Sequence, residues 1–133
     1  MMKLRLLALV FSVMFVAATP SEKEALTEHP TIQALYNAAN RHRAQYSLPA
    51  QTLDENLCNV AQRWAQNMAA RDVMYHGGGE QIIAMGYPNA EACMQGWIYS
   101  PGHRAWVLSR NGSVGFGAAR SASGRMYYAG VYR

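Results

Sequence analysis

The spacing of apolar side chains changes near Gly112, from a helical repeat to an alternation. Before that point, three segments carry apolar residues at intervals of three and four, which predicts amphipathic helices. After it, residues 114–118 and 126–132 alternate between two faces, which predicts two antiparallel strands joined by a turn at 121–124. A chain with this order buries its helices against a sheet, so we expect an α+β fold.

The expected helices have recognisable signals at their ends. The first helix begins at Pro30, the second follows Asp54, which is a good N-cap, and the third begins near Pro88 or Asn89. The third helix ends before Pro101, because the residue that precedes a proline is pushed out of the helical region. Ser100 and Pro101 also suit the N-cap and first residue of a short fourth helix. The inward stripe of the first helix contains Ile32, Leu35, Tyr36, Ala39, Arg43 and Tyr46.

The N-terminus has the outline of a secretory signal peptide. Lys3 and Arg5 precede an apolar run, and small residues favour cleavage after Ala18. The run is short for a bilayer span, which needs roughly 20 residues, and an uncleaved anchor is the alternative. The expected organisation is a signal peptide at 1–18, a flexible leader at 19–30 and one domain at 31–133. The mature protein is then secreted or periplasmic, without a stable membrane span.

The charge of the chain does not favour a nucleic-acid partner. Lysine and arginine total 12 against 8 acidic residues, for a formal net charge of +4, and two of the basic residues belong to the expected signal peptide. The remainder form no run that would follow a phosphate backbone. We therefore expect no nucleic-acid partner. We also expect the protein to be a monomer.

The two cysteines, Cys58 and Cys93, have two interpretations. An exported chain meets an oxidising compartment, where a pair of cysteines tends to form a disulfide. Each cysteine also lies on the apolar stripe of a helix, where a free thiol is buried as a small apolar group. A Cys58–Cys93 disulfide and two buried thiols both stay open.

Two histidines lie on irregular backbone, where a rigid scaffold often presents functional groups. His76 precedes three glycines and Glu80, and His103 opens the fourth helix. Two imidazoles and a carboxylate can bind a divalent metal such as zinc, or take part in acid–base chemistry. Spacing alone does not bring them together, because 27 positions separate the two histidines. A structural role for each histidine is the alternative.

Four segments carry a resemblance to a known family. The first, residues 40–50, contains Asn-Arg-His-Arg and Ser-Leu-Pro-Ala. The second, residues 53–76, begins with LDENLCNVAQRWAQNMA and ends with Met-Tyr-His. The third is Gly-Glu-Gln-Ile at 79–82, and the fourth is WIYSPGHR at 97–104. Together they resemble the CAP superfamily, or SCP domain, of cysteine-rich secretory proteins, antigen 5 and pathogenesis-related proteins. The last segment is similar to the short bacterial-type members. The resemblance extends over roughly 31–133.

The resemblance implies an α-β-α sandwich, in which helices cover both faces of an antiparallel sheet. It also implies a cleft that holds two histidines and one or two acids. His76, Glu80 and His103 match the family positions of that cleft.

The chain departs from the family pattern at three positions. Larger members place a second glutamate three residues after the tryptophan, where this chain has Ser100. Glu91 lies early in the third helix and is not expected to replace it. Gln81 stands for an asparagine, and Ser47 stands where glycine is usual. Ser100 is better explained as a helix cap than as a nucleophile, since no nucleophile-elbow motif is present.

Three functions follow from these features. The first is a secreted, non-enzymatic binding module, in which His76 and His103 bind a divalent cation such as zinc, or the cleft takes a small molecule or lipid. The second is a metal-assisted, protease-like hydrolase with Glu80 as the base. The third is an extracellular interaction protein whose cleft is a relic. The missing second acid favours binding over catalysis, as does the family's association with sterols and lipids.

Overall fold

The computed structural model describes residues 2, 3, 12 and 23–133. The rest of the predicted signal peptide and its cleavage site after Ala18 lie outside the described residues. A short 3-10 helix at Leu26–Glu28 precedes the main elements. These are α1 (Pro30–Gln45), β1 (Thr52–Leu53), α2 (Glu55–Arg71), β2 (Ile82–Met85), α3 (Ala90–Tyr99), α4 (Pro101–Val107), β3 (Ser113–Arg120) and β4 (Met126–Tyr132). Within residues 23–133, no helix has the length and apolar character needed to cross a membrane.

Side-chain caps explain where the three long helices begin. The side chains of His29, Asp54 and Asn89 each accept a hydrogen bond from a backbone N–H two or three residues later. Each cap satisfies one of the N–H groups that have no partner inside the helix. The predicted starts of these helices, and the short fourth helix, are confirmed.

The four strands form one sheet in the order β1-β3-β4-β2. Strand β4 lies at its centre and pairs antiparallel with β3 and with β2. The two-residue strand β1 joins the other side of β3 in parallel. The predicted antiparallel sheet is therefore correct for the three longer strands. Strand β1 was not predicted because two residues are too short to show an alternation.

Helices cover both faces of the sheet. Helix α2 packs on one face, while α1, α3 and α4 cover the other. The core beside α2 contains Ala61, Trp64, Met68, Ile83, Tyr127, Ala129 and Val131. The larger core contains Leu35, Cys58, Cys93, Trp97, Phe116, Tyr128 and Tyr132, among others. This is the expected α-β-α sandwich, with the alternating residues of β3 and β4 divided between the two cores.

Two glycines of β3 allow α2 to lie directly on the sheet. A Cβ atom at Gly115 would lie 2.1 Å from the carbonyl carbon of Leu57, and one at Gly117 would lie 2.4 Å from that of Ala61. Any side chain at these positions would overlap the helix backbone. The glycines that interrupt the apolar alternation thus set the distance between α2 and the sheet.

Both cysteines are free thiols in the structure, and both are fully buried. Burial raises the pKa of Cys58 to about 11 and also raises the pKa of Cys93, because it disfavours the thiolate. The structure therefore agrees with the second interpretation, in which Cys58 and Cys93 are two buried thiols.

Part of the predicted leader packs on the domain. The carboxylate of Glu55, in the first turn of α2, accepts hydrogen bonds of 2.9 Å from the backbone N–H groups of Leu26 and Thr27. These hydrogen bonds lower the pKa of Glu55, and the bond from the Thr27 amide has the largest effect. Residues 26–28 are therefore attached to α2 rather than free of the domain.

Candidate functional site

The loop that follows α2 lies flat on the indole ring of Trp64. A Cβ atom at Gly78 would lie 2.3 Å from the Trp64 ring, so only glycine fits there. The Trp64 Nε1–H donates a 2.8 Å hydrogen bond to the carbonyl oxygen of Tyr75. Gly77 and Gly79 have φ angles of +147° and +84°, which glycine adopts without strain. The glycine triplet therefore fixes the backbone next to His76.

Glu80 holds this loop closed and orients His76. Its side chain is only 1% exposed, whereas that of His76 is 60% exposed. The carboxylate accepts hydrogen bonds from the N–H groups of Gly77 and Gly78, at 3.0 and 2.7 Å, and lies 3.0 Å from His76 Nδ1. An ionised carboxylate only accepts hydrogen bonds, so Nδ1 of His76 carries a proton. In the neutral imidazole, Nε2 then keeps its lone pair.

His103 is oriented by a hydroxyl group instead. Its Nδ1 lies 2.8 Å from Ser100 Oγ, three residues earlier at the N-cap of α4. The hydroxyl makes no capping bond to the helix backbone. The cap predicted for Ser100 is therefore correct in position but not in side-chain role, because the hydroxyl pairs with the imidazole.

The two imidazoles share one environment. The pKa of His103 is lowered, first by burial and then by the neighbouring charge of His76. Both rings use Nδ1 for an intramolecular contact, which leaves both Nε2 atoms without a hydrogen-bond partner in the described part of the chain. The structure pairs His76 with Glu80 and His103 with Ser100, and a single cleft that uses His76, Glu80 and His103 together stays a prediction.

A groove of about 380 Å³ lies against His103. Ser100, His103 and the hydroxyl group of Tyr87 are its polar groups. Its other lining residues are Met74, Ile83, Ala84, Met85, Gly96 and Trp97. A mostly apolar groove with a few polar groups at one place is typical of small-ligand sites.

Comparison with known proteins identifies the family of the chain. A model of the Cysteine-rich secretory protein family, CAP, matches residues 36–132. The chain belongs to the CAP family.

One curated relative of this CAP domain is much longer than the matched region. The secreted protein RBT4 of Candida albicans is 29% identical over 72 residues, which cover 53% of this chain and 20% of that protein. The chain thus spans about a fifth of the length of this curated relative.

Solved structures show the same fold at low sequence identity. An outer surface protein of Borrelia burgdorferi aligns with a TM-score of 0.66 and 15% identity, over 75% of this chain and 89% of that one. An extracellular SCP-domain protein of Bacillus anthracis aligns with a TM-score of 0.60 and 19% identity, over 77% and 40%. The predicted family and fold are confirmed.

Other residues considered at the sequence level lie outside the cleft of this CAP domain. Glu91 pairs with Arg41 on the exposed surface, in agreement with the expectation that it does not replace the missing acid. Gln81 accepts a 2.7 Å hydrogen bond from the backbone N–H of Tyr132, so it serves the sheet.

Most residues that line the apolar groove could not be predicted from the sequence. Met74, Met85 and Tyr87 come from separate chain segments and belong to no single periodic stripe. Their one signal is local: Met74 and Met85 are apolar residues next to loops, and they are 43% and 41% exposed. Exposed apolar side chains near a candidate site indicate a ligand-binding surface only when the fold places them next to one another.

Proposed function

We propose that this CAP domain is an exported binding module whose cleft holds its ligand between two oriented imidazoles. The observation that carries the proposal is that His76 and His103 each use Nδ1 internally, while both Nε2 atoms are left for a ligand. Orientation of an imidazole by a hydrogen bond at its other nitrogen is typical of metal-binding histidines. The predicted ligand class is a divalent cation such as zinc.

The donor set fits such a cation with few protein ligands. Imidazole nitrogen suits zinc, and Glu80 and Ser100 would act on the metal only through the histidines. No group of three or more His, Cys, Asp or Glu side chains within residues 23–133 is arranged to hold a metal. The cation would therefore keep water at its other positions and bind less tightly than in a four-ligand site. When bound, it supplies positive charge that can attract a second, anionic ligand.

Zinc titration by calorimetry tests this proposal. His76→Ala and His103→Ala should each abolish measurable binding, because each removes one of two ligands. His42→Ala is the matched control, since His42 lies on α1 outside the cleft, and it should bind zinc like the parent protein. Unchanged binding in both cleft variants would exclude the metal site.

The geometry also supports an apolar ligand in the neighbouring groove. The specific observation is its lining of Met74, Met85 and Tyr87 next to His103. Met85→Gln should weaken binding of a medium-chain fatty acid, measured by displacement of a fluorescent probe. Val73→Gln is the control, because Val73 is also exposed, at 53% against 41% for Met85, but does not line the groove. Equal losses in the two variants would contradict this second candidate.

Glu80 is poorly suited to act as a hydrolytic base. Its side chain is buried, and both of its oxygens already accept hydrogen bonds. A general base must reach the proton of an attacking water. We therefore expect the purified protein to show no zinc-dependent peptidase activity. Turnover that disappears in Glu80→Gln, with the fold retained, would revive the hydrolase hypothesis.

Export and monomeric state are parts of the same proposal. The signal-peptide pattern supports export, and so do the matched relatives, which are named as secreted, outer-surface or extracellular proteins. Mass spectrometry of the exported chain should find Thr19 at the N-terminus, and light scattering should give a monomer. A partner-bound species recovered from the medium would favour the interaction-protein hypothesis.

A further inference from the structure

Arg43 carries a buried charge without a carboxylate partner. The residue is 2% exposed on the inner side of α1. Its Nε donates a 2.9 Å hydrogen bond to the carbonyl oxygen of Pro49, and Nη1 donates to those of Val107 and Ser109. No ion pair involves Arg43 within residues 23–133. Burial lowers its pKa, which is the expected effect when a charge leaves water without a compensating partner.

A cavity of about 250 Å³ opens beside this guanidinium. Two loops form its walls, the α1–β1 loop and the α4–β3 loop. Its lining residues besides Arg43 are Leu48, Pro49, Ala50, Arg110, Asn111 and Gly112. None of them belongs to the histidine cleft or the apolar groove, so the cavity is separate from the site described above.

The cavity has unused positive charge. Nη2 of Arg43 makes no hydrogen bond among the contacts of residues 23–133, in contrast to Nε and Nη1. Arg110 is exposed and forms no ion pair within the same residues. The lining includes two guanidinium groups and no acidic residue. An anion is therefore the complementary ligand.

We propose that this cavity binds the carboxylate of a short aliphatic acid between Arg43 and Arg110. Arg43 offers the two N–H groups of Nη2, and Arg110 offers a planar guanidinium fork that can pair with a carboxylate in bidentate geometry. One wall of the cavity is apolar and suits the hydrocarbon part of the acid. It consists of the side chain of Leu48, the ring of Pro49 and the methyl group of Ala50. The volume admits an acid of a few carbon atoms.

Calorimetry and thermal unfolding with sodium butyrate test the proposal at constant ionic strength. Butyrate should bind saturably and raise the Tm, because a ligand that binds only the folded state stabilises it. Butyramide has nearly the same shape without charge and should do neither. Equal effects of the two compounds would overturn the proposal, as would tighter binding of inorganic phosphate than of butyrate.

Substitution of the exposed arginine avoids a folding defect. Arg110→Gln should weaken butyrate binding by about tenfold, because it removes one charge-assisted partner, while the Tm without ligand stays close to the parent value. Arg63→Gln is the control, since Arg63 is an exposed arginine on α2 away from the cavity. Equal butyrate affinity in Arg110→Gln and Arg63→Gln would overturn the assignment. Zinc binding at the histidine cleft should be unaffected, so the two proposals can fail independently.

Discussion

The two cleft imidazoles are held by groups of different charge. Glu80 fixes His76 with a buried carboxylate, whereas Ser100 fixes His103 with a neutral hydroxyl. A carboxylate raises the basicity of the imidazole that it contacts, and a hydroxyl does so much less. The two halves of the cleft should therefore differ in how strongly they bind a cation.

Loss of the Ser100 hydroxyl should weaken zinc binding in the cleft without disturbing the fold. Ser100→Ala removes the partner of His103 Nδ1, and we expect about a tenfold loss of zinc affinity by calorimetry. Ser100→Thr keeps a hydroxyl and should largely restore binding. If Ser100→Ala and Ser100→Thr lose the same affinity, the hydroxyl does not position His103.

His103 should make stability depend on pH in a defined window. Its pKa in the folded protein lies below the ordinary value of 6.5, so the unfolded chain takes up a proton first as the pH falls. Stability is therefore fully present above about pH 6.5 and declines below it, until the folded pKa is passed. Urea unfolding between pH 7.5 and 5, with a chelator present, should show a smaller decline in His103→Gln. An identical decline in both proteins would contradict this.

Residue identity alone predicted the members of the cleft but not their contacts. His76, Glu80 and His103 were identified from matching segments, since 27 positions separate the histidines and no local rule joins them. The hydroxyl contact of Ser100 depends on the turn between α3 and α4, which sets where the side chain points. Ser47 is a related case. It has a φ of +56°, which explains why glycine is usual there, because an L-residue is strained in that region.

At the scale of the elements, the strongest constraint is the contact between α2 and β3. Gly115 and Gly117 place the strand against the helix backbone. Periodicity predicted both elements, because long amphipathic stripes and alternating strands leave clear patterns. It did not predict their close approach, which depends on how the helix seats on the sheet.

Gly117→Ala should destabilise the protein by about 2–3 kcal/mol, because the new methyl overlaps the α2 backbone and the helix must shift. Gly102→Ala is the control, since a Cβ there meets nothing within 4 Å. It should be neutral or stabilising by up to about 1 kcal/mol, as expected for alanine in a helix. Urea denaturation measures both. Similar free energies of unfolding for the two variants would show that α2 can move away from the sheet at little cost.

The shortest elements escaped prediction for physical reasons. Strand β1 is two residues long, and the 3-10 helix at 26–28 depends on a long-range contact with Glu55. Neither contains enough residues to show a repeat, and tertiary contacts stabilise both. Only the tertiary contact with Glu55 attaches residues 26–28 to α2, so their sequence resembles that of the rest of the leader.

At the scale of the whole molecule, the sandwich is held by two apolar cores without a covalent link. Cys58 and Cys93 are both free and fully buried. Periodicity placed each on an apolar stripe but could not determine the distance between them, because that distance depends on how two separate helices pack.

The buried thiols predict the behaviour of the protein towards thiol reagents. The folded protein should react slowly with Ellman's reagent, because burial raises the pKa of both cysteines and blocks access. Unfolding in guanidinium chloride without reductant should expose both thiols of the chain. Reductant should leave the Tm of the native protein unchanged. No thiol signal after unfolding, with two recovered by reductant, would show instead that a disulfide forms.

The position of the cleft has a mechanical consequence. His76 follows α2, on one side of the sheet, and His103 lies in α4, on the other side. A cation held by both imidazoles would bridge the two outer layers of the sandwich, which share no covalent bond except the chain itself. In single-molecule pulling, zinc should therefore raise the force at which α2 separates from α4. A bound cation would then be a reversible cross-link between the two layers, in a domain that has no disulfide within residues 23–133 to resist tension.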